Sequence, residues 1–272
     1  MSARRFRIGH LRAPTHGETE MESIIQGVAE AMRLLFTGDP STYEIALRSL
    51  VVSMIALLFA LAFGLPLGAM LALTRFPGHR ALVATVNTGM GVPPVVIGLL
   101  VALFLWRTGP LGGLHLMYTI QAMIIAQVLI ALPIVAGLSY AALQQLDAGF
   151  RMQILALGAG RLRLFFMLVR EIRVPLMGAV MAAFGGVISE VGAVMIVGGN
   201  IRGQTEVLTT GIVTNVEMGL FPSAVALAIV LMILSFTTNY AMTVIQQHGT
   251  NSGQRRQSGF LRASRSRLDT KS

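Results

Sequence analysis

Five apolar runs, at residues 45–73, 81–106, 117–143, 174–199 and 221–245, leave nearly all of the chain's charges between them rather than inside them. A hydrocarbon core about 30 Å thick takes roughly 20 helical residues to cross. Within it every backbone amide has to be satisfied by the chain itself. Runs of this length predict helices, because a membrane barrel would be written as segments of about ten alternating residues. The expected fold class is therefore an all-α membrane protein of about five transmembrane helices. With 54% hydrophobic and 12% charged residues, the chain has too little polar surface to fold as a soluble domain.

The net charge of +9 comes from arginine almost throughout, with a single lysine at Lys271. These arginines sit at the ends of apolar runs and in the C-terminal stretch, where they set orientation and meet anionic lipid, so membrane lipid and not nucleic acid is the expected partner. The absence of cysteine excludes disulfides and thiolate metal sites. The five histidines, His10, His16, His79, His115 and His248, are scattered over tails and loops without metal-ligand spacing, and no catalytic constellation accompanies them.

Residues 1–20 carry Arg4, Arg5, Arg7 and Arg12 with Pro14 and Gly17 and no apolar period, which predicts a disordered extension; Met21 is an alternative start. Over residues 23–36, Ile24, Ile25, Val28, Met32 and Leu35 recur at helical spacing opposite Gln26, Glu30 and Arg33, a pattern for a helix lying on the membrane and ended by Gly38-Asp39-Pro40. The membrane domain is expected over residues 21–248 and a disordered, Ser/Arg-rich basic tail over 249–272. No cleavable signal peptide is evident, and the first span can act as its own insertion signal.

Cations concentrate after the first span (Arg75, His79, Arg80), after the third (Arg151 to Arg173) and after the fifth (Arg255 to Lys271), which places those regions in the cytoplasm. The C-terminus is then cytoplasmic and the N-terminus outside, against the local pull of the four N-terminal arginines.

Three segments stand out for function. Between Gln144 and Arg173 a helical period continues, interrupted by Gly158-Ala159-Gly160, which describes two short helices meeting at a bend. Such a knob suits the grip of a soluble partner, and a loop lying on lipid has the same pattern. Pro93-Pro94 interrupts the second apolar run, as a pathway helix or a simple kink would. In the fourth run, Gly178, Ala182, Gly185, Ser189 and Ala193 form a small-residue face expected to pack tightly on another helix. Glu190 lies about 24 Å beyond Val174 along a continuous helix. Intramembrane carboxylates often mark a gate or pathway, and equally serve as links between helices. The outer connection adds Asn200, Thr205, Thr209, Thr210 and Asn215, neutral donors able to hold an oxyanion briefly or to cap helices.

The stretch Met152-Gln-Ile-Leu-Ala-Leu-Gly158-Ala159 resembles the cytoplasmic loop of ATP-binding-cassette (ABC) importer permeases. Met152-Gln-Ile stands where that family has Glu-Ala-Ala, and Gly158 stands at its glycine. Ile188-Ser-Glu-Val-Gly192, continuing to Asn200, resembles the corresponding span of tungstate permeases and more loosely that of molybdate and sulfate permeases. Gly64-Leu-Pro-Leu-Gly68, Val92-Pro-Pro-Val-Val-Ile-Gly98, Arg107-Thr-Gly-Pro-Leu-Gly112 and Gln127-Val-Leu-Ile-Ala-Leu-Pro133 extend the resemblance in order.

The resemblance implies a type I importer bundle like that of molybdate and methionine permeases, in a plasma membrane. It implies a homodimer around a central path, cytoplasmic ABC ATPase subunits and an extracytoplasmic substrate-binding protein. It places an ATPase coupling loop at Asp147, Met152, Leu157, Gly158, Ala159 and Arg161, while the residues argued above make Pro93, Pro94, Ser189, Glu190, Gly192, Asn200, Thr209 and Thr210 the candidate pathway or gate. This chain has no phosphate-cradling Gly-x-x-x-x-Gly-Lys-Ser/Thr loop, so it is expected to bind no cofactor, with ATP and Mg on the partner ATPase. The alternatives are a permease for molybdate, sulfate or another anion and, from a different class, an ion-coupled carrier using Glu190. Such carriers commonly carry inverted repeats, and no internal symmetry is visible across the five spans.

Overall fold

The structure is a computed structural model that describes residues 25–30, 32, 33 and 40–269. The expected extension at 1–20, the alternative start at Met21, the helix stop at Gly38-Asp39 and the lone Lys271 lie outside the described residues. Among the described residues there are helices and no strands.

Residues 25–30, 32 and 33 are helical, with Ile25, Val28 and Met32 exposed and Glu30 paired with Arg33 at 3.2 Å, the two-faced pattern of a surface helix. Ten helices follow: α1 (Pro40–Leu73), α2 (His79–Gly89), α3 (Pro94–Leu105), α4 (Ile120–Gln144), α5 (Ala148–Ala156), α6 (Arg161–Glu171), α7 (Arg173–Ile188), α8 (Gly192–Gly198), α9 (Leu208–Glu217) and α10 (Phe221–Asp269). By length and composition α1, α4 and residues 221–244 of α10 can each cross a membrane, and the bent pairs α2–α3 and α7–α8 supply up to two more spans.

The centre of the bundle is α1 packed along α4. Val52 meets the cluster of Ala122 and Met123 at one end, Leu57 and Ala60 meet Ala131 and Val135 midway, and Ala69 joins Ala142 and Leu143 at the other end. That order makes the two helices parallel. α7 runs beside both of them through Ala183, Phe184, Val187 and Ile188. Lipid tails give apolar side chains no reason to turn inward, so close packing of small residues selects the interface. Larger apolar groups such as Phe59, Phe63, Phe236 and Tyr240 stay exposed on the outside.

Three expectations are corrected. The second run is two helices meeting at 107°, a reversal far beyond a kink, because Pro93 and Pro94 take the N-cap and first positions of α3, where missing amide hydrogens cost nothing. The fourth run is also interrupted, with α7 and α8 meeting at 56°, so Glu190 does not lie on a continuous helix. Of the expected small-residue face only Ala193 packs tightly on another helix, against Gly98 of α3; Gly178, Ala182 and Ser189 are exposed, and a Cβ at Gly178 or Gly185 would meet no atom within 4 Å. The bulkier opposite face of α7 is the buried one, since Phe184, Val187 and Ile188 fill the space beside α1 and α4. Helix α10 extends to Asp269, and from Gly249 onward the sequence holds no proline to stop a helix propagating from the apolar span.

Candidate functional site: two interrupted helices and an exposed loop

Both helix interruptions lie side by side. A Cβ at Gly98, in the second turn of α3, would stand 2.5 Å from the Ala193 Cα in α8, and one at Gly192 would collide with the Val95 side chain. Pro93, Pro94, Glu190 and Gly192, scattered in sequence, therefore border one place, where backbone leaves regular helix at the junction of two spans.

The freed groups at this junction are bonded individually. Ser189 Oγ donates back to the Gly185 carbonyl at 2.7 Å, and Gln127 Nε2, buried in α4, donates to the Val187 carbonyl at 3.0 Å. The Ala193 amide donates to Glu190 Oε1 at 2.9 Å, so the carboxylate caps the first turn of α8, where the helix dipole favours a negative group. Thr209 Oγ1, from α9, donates to the Glu190 carbonyl at 2.9 Å. Glu190 is thus bonded to both α8 and α9.

The remaining outer residues form a separate knot. Thr205 Oγ1 donates to the Gly198 carbonyl and accepts from the Ile201 amide, Asn200 Nδ2 donates to Thr214 Oγ1, and Asn215 Nδ2 donates to the Gly211 carbonyl. Thr210 Oγ1 closes the first turn of α9 on Val207. These donors fasten the chain after α8 and are turned to its own backbone and side chains; within one chain they do not gather around a shared hollow.

Sequence reasoning overlooked the side chains that bind this knot to α1. Ser49 Oγ accepts the Leu208 amide at 2.8 Å, and the Arg48 guanidinium donates to the Glu206 carbonyl at 2.8 Å while pairing with Glu44. Gln127 belongs with them, a polar residue inside the third apolar run. The signal for all three was a polar side chain within an apolar run, which has to find a partner in the bundle.

At the opposite end of the bundle lies the loop over residues 144–172. Asp147 Oδ1 accepts the Gly149 amide at 3.1 Å and starts α5. α5 ends in a paired-bond cap: the Gly158 amide donates to the Leu155 carbonyl at 2.9 Å, and the Ala159 amide to the Ile154 carbonyl at 3.3 Å. Gly158 has φ +75°, a conformation in which a Cβ is strained, although no atom would obstruct it within 4 Å. Ile154, Leu164 and Leu168 anchor the two helices inward against Ala69 and Leu143. Met152 and Leu157 point away, 68% and 83% exposed, and Arg161 is exposed beside them. Arg151 donates to the Leu73 carbonyl at 3.0 Å, fixing this loop to the end of α1. Asp147, Met152, Leu157, Gly158, Ala159 and Arg161 thus come together at one bend that is bonded to the end of α1 and largely uncovered.

Residues 64–248 match the family described as "Binding-protein-dependent transport system inner membrane component". The chain is 41% identical over 227 residues to the tungstate uptake system permease protein TupB of Peptoclostridium acidaminophilum, covering 84% of this chain and 100% of that one. It is 39% identical to a probable anion ABC transporter permease protein of Haloferax volcanii over 202 residues, 70% of this chain and 87% of that one. Identity to the Escherichia coli molybdenum transport system permease protein ModB is 29% over 188 residues, 66% of this chain and 81% of that one. Among solved structures, the MetNI methionine ABC transporter in an inward-facing form superposes with a TM-score of 0.63 at 20% identity, over 80% of this chain and 98% of that one, a likeness of fold.

Proposed function

Because the chain belongs to the family of binding-protein-dependent transport system inner membrane components, we propose that it forms the translocation path of a tungstate importer, working by alternating access with separate ATPase subunits. It is a translocation component and not an enzyme; ATP and Mg are held by the partner ATPase. The observation that carries the reading is the rigid, uncovered bend at Gly158 on a chain 41% identical to a tungstate permease along that protein's whole length. ATP binding draws the ATPase subunits together, the bend transmits the movement, and the interrupted helices at Pro93–Pro94 and Glu190 rearrange to open the path outward to a substrate-binding protein. The bend faces the cytoplasm together with the C-terminus, and the knot around Thr205 faces outward, in keeping with the arginines gathered at the bend's end.

Cells producing the chain with its ATPase and binding protein should accumulate radioactive tungstate in an ATP-dependent way, with molybdate and sulfate competing only at higher concentration. Glu190→Gln keeps the oxygen that accepts the Ala193 amide and removes the charge. It should retain more than half of wild-type uptake, because the carboxylate acts as a cap. Loss of uptake in Glu190→Gln, together with transport that follows a proton gradient without any ATPase, would overturn the importer reading in favour of an ion-coupled carrier.

The path requires a second copy of the chain, and the open small-residue face of α7 is suited to receive it, since small side chains let helices approach closely. The chain has no cysteine, so a single introduced thiol reports cleanly. Ala182→Cys should cross-link to a second copy under mild oxidation, whereas Phe59→Cys on the outer surface of α1 should stay monomeric on a non-reducing gel. Equal cross-linking at both positions would rule out this face as the contact.

A further inference from the structure

At the same end of the bundle as the Gly158 bend, the turn between α1 and α2 borders an open cavity of about 870 Å³, lined among others by Arg75, Arg80, His79, Tyr140 and Gln144, with no carboxylate in its wall. Its floor is fixed. His79 Nε2 donates to the Leu71 carbonyl at 2.8 Å, the His79 ring lies between those of Phe76 and Tyr140, and Gln144 Nε2 donates to Tyr140 Oη at 2.7 Å.

Three of the last four carbonyls of α1, the local source of negative potential, are already taken. Leu71 O receives His79, Met70 O receives Thr74, and Leu73 O receives Arg151. The side chains of Arg75 and Arg80, both exposed, make no hydrogen bond or ion pair among the described residues, so two arginines line a cavity whose wall offers them no anion. The first turn of α2, whose free amides add positive potential, lies in the same wall.

One further feature distinguishes the class of anion. Phe59, Phe63, Pro66 and Met70 recur at helical spacing along α1, all exposed, and the stripe ends one turn before Thr74 at the cavity's edge. A soluble anion has no use for that stripe; an acyl chain does. We propose that the cavity binds the phosphate headgroup of an anionic phospholipid, with Arg75 and Arg80 holding the phosphate and the lipid's tail lying along Phe59, Phe63 and Met70. The inference rests on the membrane-spanning fold and is independent of the substrate transported.

Native mass spectrometry of the full-length chain, purified in mild detergent with the subunits that accompany it, tests this. Titration with dioleoyl-phosphatidylglycerol should fill one site per chain about thirty-fold more tightly than dioleoyl-phosphatidylcholine, as expected for two arginines close to an anionic headgroup. Arg75→Gln with Arg80→Gln should reduce the preference to within about threefold, while Arg202→Gln at the other end leaves it unchanged. Met70→Asn should weaken phosphatidylglycerol. Equal retention of the two lipids by the wild-type chain overturns the proposal without reference to any variant. Inorganic phosphate that binds at millimolar concentration and displaces phosphatidylglycerol, with Met70→Asn having no effect, would make this a soluble-phosphate site and overturn the lipid assignment. A preference that survives the arginine substitutions overturns the cavity as its location.

Discussion

Gly158→Trp should leave the chain inserted in the membrane in normal amount and cut ATP-dependent uptake at least tenfold. Two properties of the position separate folding from coupling. The bend is exposed, a Cβ there meets no atom within 4 Å, and the main cost to the bundle is the strain of a side chain at φ +75°, about 1–2 kcal/mol. On the proposed reading the same open space is where an ATPase subunit approaches, and a large side chain there holds it away. Gly158→Ala carries the strain without the bulk and should keep most of the uptake. Co-purification of the ATPase with the wild-type chain and the alanine variant, but not the tryptophan variant, is the accompanying measurement. Normal uptake by Gly158→Trp would remove the bend from the coupling route.

Gly98→Leu should be strongly destabilising. The first atom added stands 2.5 Å from the Ala193 Cα, which is backbone and cannot rotate away, so α3 and α8 have to separate at the point where both interrupted spans meet. Overpacking of this kind costs about 3 kcal/mol or more, which in a chain of this size lowers a thermal midpoint by on the order of 6–12 °C. Gly98→Ala should already lower the midpoint in detergent. Gly178→Ala, the same chemical change at a helical position where a Cβ meets nothing, should leave it unchanged or raise it slightly. Equal behaviour of the two alanine variants would mean that α3 and α8 do not approach as closely as described.

Much of the architecture was legible because a bilayer permits few solutions. The apolar runs located all of the spanning material, Pro93-Pro94 marked a break, and Gly158 marked a bend. The resemblance read from ordered motifs agrees with the family matched over residues 64–248. The interruption at Glu190 was not legible, because Ser, Val and Gly around it are all compatible with helix; it exists through bonds from Gln127 and Thr209, 60 and 19 residues removed from their partners. The small-residue face of α7 misled for a related reason. Composition says that a helix can be approached closely along Gly178, Ala182 and Gly185, and says nothing about which body approaches.

By itself the sequence determined that this chain crosses a membrane as helices, where the apolar stretches lie and which loop bends at a glycine, since apolar length and backbone satisfaction are local properties. Only the tertiary structure decided that the two broken spans meet at Gly98 and Ala193, that Glu190 caps a half-helix, and that Arg75 and Arg80 share one cavity. Those depend on which distant segments are brought together, and lipid, being as apolar as leucine, exerts no pull on side-chain type that would reveal it in advance.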